Sequence, residues 1–67
     1  MNVLIEMTTL SFARPTAGAS NKEFAEWFEA KARLHQHLAA EGGPDAKREI
    51  ALAVRAHQRS VSLRCAA

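Results

Sequence analysis

A mostly α-helical chain built on an antiparallel two-helix hairpin, Asn21–Glu41 and Asp45–Ser60, is what this sequence predicts. Three features predict it. Ser20-Asn21-Lys22-Glu23 has the form of a capping box, the residues after it place apolar side chains at helical spacing, and Gly42-Gly43-Pro44 interrupts the chain before a second helical run.

In a capping box the Ser20 hydroxyl accepts from the Glu23 amide while Glu23 reaches back to the amide of Ser20. From Phe24 to Glu41 there is no Gly or Pro and many strong helix formers. Phe24, Trp27, Phe28, Lys31, Leu34, His35 and Leu38 fall within an arc of roughly 120° at about 100° per residue. The glycines supply the left-handed backbone that ends helices, and Pro44 with Asp45 opens the second helix. There, Ala46, Ile50, Ala53, Val54, His57 and Val61 share one face, with Lys47, Arg48, Arg55 and Arg59 off it. So short a connection makes the helices antiparallel neighbours, with Leu38 expected near Ile50, Lys31 near Val54, and Trp27 and Phe28 near His57.

Residues 1–12 read differently. Val3, Ile5 and Met7 alternate with Leu4, Glu6 and Thr8 in a stretch rich in β-branched residues, which predicts an N-terminal extended arm or strand. No second strand pattern exists to pair with it, so it must pair with another copy, pair with another protein, or stay an arm. Residues 13–20 form a linker and helix cap around Pro15 and Gly18, and residues 61–67 form a C-terminal tail.

A chain of 67 residues buries only about 60% of its unfolded surface, and such scaffolds need a disulfide, a metal or a partner. Cys65 is the only cysteine, so no disulfide framework is available, and a lone thiol fits a reducing, cytoplasmic setting. No leader-like basic segment precedes Val3-Leu4-Ile5, and no apolar run approaches a membrane span. The two phenylalanines and the tryptophan of the first helix exceed what Ile50, Val54 and Val61 can cover. Such a surplus marks an interface. The expected assembly is a four-helix homodimer whose dimer or partner interface comprises Phe24, Trp27, Phe28, Lys31, Leu34, His35, Leu38, Ile50, Val54, His57 and Val61. Leu52, Arg55 and Arg59 form a possible second partner surface.

The chemistry-bearing residues do not assemble into a reactive pattern. His35 and His37 project about 200° apart, and no carboxylate or cysteine completes a ligand set around His35 and His57, so no metal site is expected. Cys65, Ser60 and Ser62 lack a positioned base, Gly42-Gly43-Pro44 is a helix stop and not a phosphate loop, and the carboxylates are read as capping and solvated groups. So small a chain is also expected to offer little room for a ligand pocket of several hundred cubic ångströms. No catalytic residue and no cofactor is assigned. The net charge of +2 is mild, and Lys47, Arg48, Arg55 and Arg59 spread over more than one face, which makes nucleic acid a secondary candidate.

A strand followed by two helices has the order of a ribbon-helix-helix repressor, although the 13–20 linker and the length of the first helix depart from that family. In layout, through SNKEFAEWFEAKARL followed by a Gly-Gly turn, the chain resembles the small helical-hairpin proteins that phages of high-GC bacteria use to inhibit host regulators or motors. That resemblance implies a non-enzymatic protein that occludes a larger protein such as a transcriptional regulator. The alternative is a DNA-binding repressor of ribbon-helix-helix-like layout.

Overall fold

The computed structural model describes residues 2–65, which form three helices: α1 (Val3–Phe12), α2 (Asn21–Ala40) and α3 (Ala46–Cys65). The extended arm is therefore corrected to a helix. Asn2 starts it, its side-chain oxygen accepting from the amides of Leu4 at 3.0 Å and Ile5 at 3.3 Å. Glu6 sits in the first turn, where a negative charge favours the helix dipole, and the Thr8 hydroxyl is absorbed by the Leu4 carbonyl at 2.9 Å. The alternation that suggests a strand coexists with a helical line through Val3, Glu6 and Leu10, the side of α1 turned toward α2.

At the start of α2 the Ser20 hydroxyl accepts from the Glu23 amide at 3.1 Å, as the capping box requires. The return contact is shorter-range than expected: the Glu23 carboxylate accepts from the Ser20 hydroxyl at 3.3 Å. Gly42 and Gly43 have φ of +80° and +93°, the conformations that stop α2 and turn the chain. Helix α3 begins at Ala46 and continues past Ser60 to Cys65, so most of the expected tail is helix. Its last turn is held because Ser60 is wholly buried and Leu63 half-buried beside the start of α2.

Two His–Glu contacts, His35 with Glu49 and His57 with Glu29, confirm the antiparallel hairpin and set its register. That register places Ala39 opposite Ala46, Ala32 opposite Ala53, and Ala25 opposite Ser60. These six positions recur at every seventh residue, and four of them are buried. Small side chains at the contact line let the two backbones approach closely, and the seven-residue period keeps that line facing the partner helix.

The contact face of α3 is consequently not the one expected. Ile50, Val54 and Val61 are 56, 50 and 45% exposed, while Ala53, Ala56 and Ser60 are buried. Branched side chains at the contact would hold the helices apart. Alanines allow close contact, and α3 is turned so that its β-branched side chains Ile50, Val54 and Val61 lie to one side. The expected neighbours Leu38 with Ile50 and Lys31 with Val54 are therefore separated onto opposite sides of the hairpin.

Helix α1 lies against α2 on the side away from α3. Its contacts reach Trp27 and His37, which project roughly 150° from the alanine line of α2 at about 100° per residue. Among the described residues α1 and α3 do not touch. The three helices thus form one layer with α2 in the middle, spanning 37 × 22 × 16 Å. A layer has two broad faces and no enclosed centre. Leu34, 6% exposed, is the only buried apolar side chain larger than alanine among the described residues.

Candidate functional site

The broad faces are distinguished by what each helix turns toward them. Glu29 and His57 meet at 2.8 Å and so define one face. Measured round α2 from the alanine line, Phe24, Lys31 and Leu38 lie on the side away from Glu29. Measured round α3, Leu52 and Arg59 lie on the side away from His57. Both groups therefore share the second face. The residues expected to form one seam are divided: the aromatic residues, Lys31 and Leu38 on one face, and Ile50, Val54, His57 and Val61 on or toward the other. Leu34 is buried within the layer, and His35, on the same side of α2 as Phe28, bonds to Glu49. The possible second surface of Leu52, Arg55 and Arg59 adjoins the aromatic group.

The aromatic face is rigid where it meets α1. The Trp27 indole Nε1–H donates to the Leu10 carbonyl at 2.9 Å, and Phe28 meets the indole edge-on with centroids 5.2 Å apart and planes at 80°. Part of the aromatic surplus is thus covered within the chain by α1. Cations overlie Trp27 and Phe28. Lys31 Nζ is 5.7 Å from the Trp27 ring centre and 6.0 Å from that of Phe28, and the Arg14 guanidinium carbon is 5.9 Å from Trp27.

All three histidines bond to a glutamate on a neighbouring helix, a feature sequence reasoning missed. His35 Nδ1 is 2.6 Å from Glu49, His37 Nδ1 is 2.8 Å from Glu6, and His57 Nδ1 is 2.8 Å from Glu29. With Nδ1 carrying the proton, each imidazole donates to its carboxylate and is held in one orientation. Glu6, Glu29 and Glu49 are thereby partners in helix contacts and not simply solvated groups. Burial pushes the Glu29 carboxyl up, but the His57 hydrogen bond, the nearby Ser60 hydroxyl and the charges of His57 and Arg64 outweigh it. The group is held below the ordinary carboxylate value of 4.5.

The Ser60 hydroxyl is buried without closing a hydrogen bond, beside Glu29 and not beside a free imidazole nitrogen. The Glu29 carboxylate neighbours both the His57 imidazole and the Ser60 hydroxyl, the reverse of the serine–imidazole–carboxylate order of a Ser-His-Asp triad. Among the described residues no three His, Cys, Asp or Glu side chains converge on one point.

The expectation of no sizeable pocket is corrected. Between α1 and α2 runs an open cleft of about 560 Å³, lined in part by Glu6, Leu10, Glu26, Trp27 and Arg33. Of its carboxylates Glu6, Glu23 and Glu26, the first is engaged by His37, and the cleft lies where α1 covers only part of α2. No helix of the described residues is long and apolar enough to cross a membrane. Comparison with protein-family models, curated proteins and solved structures found no match.

Proposed function

We propose that this chain is a small non-enzymatic protein-interaction module that covers a surface on a larger protein, acting as a regulator or inhibitor of that partner, for example of a transcriptional regulator. One observation carries the reading: the helices form a single layer that leaves apolar side chains on both broad faces. A folded chain of 7.3 kDa ordinarily exposes about 4,200 Å², and this one exposes 4942 Å². The excess approaches the roughly 800 Å² that one partner contributes to a standard interface. The radius of gyration, 12.4 Å, likewise exceeds the roughly 11 Å of a compact chain this long.

The proposal includes self-association. A second copy is the simplest cover for Ile50, Val54 and Val61, leaving the aromatic face for the larger partner, and the working unit is then a homodimer. Sedimentation equilibrium tests this part: wild type should dimerise at micromolar concentration and Val54→Asp should not. A wild-type chain that stays monomeric would remove the homodimer from the account.

The larger partner is tested by capture from source cells with wild type and a Phe28→Ser variant that retains its circular dichroism. One cross-linked partner, bound by wild type and lost in the variant, supports the reading; equal capture by both contradicts it. The ribbon-helix-helix alternative needs a strand where α1 stands. Tight duplex DNA binding that weakens steeply with salt would nonetheless overturn the protein-binding reading.

A further inference from the structure

Resting on the reading of the chain as a binding module, we infer that its aromatic face receives an amphipathic helix whose apolar stripe is flanked by carboxylates. The geometry supplies the apolar half. Phe24, Trp27, Phe28 and Leu38 run along one side of α2 at helical spacing and are half-buried, which offers area to a partner while the Leu10 carbonyl and the edge-on Phe28 fix the indole. Rigid aromatic anchors lose little side-chain entropy on binding, and a helix laid in such a groove meets it at its own i, i+3, i+4 and i+7 positions.

The charge pattern selects the partner. Among the described residues none of the nine Lys and Arg side chains forms an ion pair with an Asp or Glu; the ion pairs found there are the three His–Glu contacts. The carboxylates that stand near Lys31 in sequence are directed elsewhere. Glu23 serves the Ser20 cap and with Glu26 lines the cleft between α1 and α2, Glu29 holds His57, and Glu49, which reaches the aromatic side from α3, is bonded to His35. Lys31 and Arg14 therefore lie over the Trp27 ring with no carboxylate of this chain within ion-pair distance, and Arg59 borders the same face from α3. A second copy laid on this face would set these cations against their own equivalents. A helix with carboxylates beside its apolar stripe pairs with them instead, as complementary potentials require.

The test uses the whole chain and its single tryptophan. Three short synthetic helices share one leucine stripe and carry Glu, Gln or Lys beside it, and each is titrated against the emission of Trp27. The Glu peptide should shift the emission and bind about tenfold more tightly than the Gln peptide at low salt, the sum of a few exposed charge pairs. In the double variant Lys31→Glu/Arg59→Glu, which alters two side chains that are not buried, the preference should pass to the Lys peptide with circular dichroism unchanged.

Equal binding of the Glu and Gln peptides would overturn the charged-partner inference while leaving a module that docks apolar helices. Failure of all three peptides to move Trp27 would overturn it too, and the capture experiment would then decide the broader reading alone. Trp27 emission that changes with chain concentration in the absence of peptide would assign the face to a second copy. Duplex DNA that displaces the Glu peptide would assign it to nucleic acid. Either result overturns the inference.

Discussion

Replacing Ala32 with leucine tests the alanine contact between α2 and α3 most sharply. Ala32 is 3% exposed and lies opposite Ala53, which is 5% exposed, so the three added carbons have no free space to enter. Leucine and alanine are both good helix formers, so the change isolates packing from backbone preference. Overpacking of this kind costs about 1–3 kcal/mol. A domain of 67 residues has roughly 3–10 kcal/mol to lose. The expected fall in Tm is about 5–20 °C, taking 4–8 °C per kcal/mol. Ile50→Ala is the control, since a side chain 56% exposed should contribute less than about 1 kcal/mol to the lone chain. Thermal melts followed by circular dichroism, at concentrations where sedimentation shows a monomer, rank the two. A larger loss from Ile50→Ala than from Ala32→Leu would refute the alanine contact and restore the branched face as the one that packs.

Trp27→Phe removes the bond to the Leu10 carbonyl and should cost about 1 kcal/mol, seen as faster hydrogen exchange in α1 than in α3. Glu29→Gln should matter most near neutral pH. Because the Glu29 pKa is lowered in the folded chain, its stabilisation is present above about 4.5 and is lost as pH falls through the folded value, so the Tm difference from wild type should shrink toward pH 3. Gly43→Ala meets no clash but forces alanine to φ of +93°, and should destabilise by about 1–2 kcal/mol in chemical denaturation.

The helices α2 and α3 were legible because their boundaries are written locally: a serine cap, a run without breakers, and two glycines that only a turn explains. Helix α1 was obscured because Val3, Ile5 and Met7 satisfy a two-residue period while Val3, Glu6 and Leu10 satisfy a helical one, and only contact with α2 decides between them. The packing face of α3 was misread because side-chain size favours Ile50, Val54 and Val61. The deciding signal, small residues at every seventh position from Ala25 to Ser60, has low hydrophobicity and was readable only as a period. The His–Glu contacts join residues 14, 28 and 31 positions apart and follow from register, which no local pattern encodes. What the residue inventory did convey was a surplus of aromatic surface, which the structure accounts for in part through α1 and otherwise leaves at the surface.

The lone chain is one helical layer with both broad faces uncovered. Methyl NMR of the monomeric chain with a soluble paramagnetic reagent measures this directly. Strong attenuation is predicted at Leu4, Ile50, Val54 and Val61, with Leu34 spared. If the methyls of Ile50 and Val54 are as protected as Leu34 in the monomer, α3 packs through its branched face and the single-layer account is contradicted.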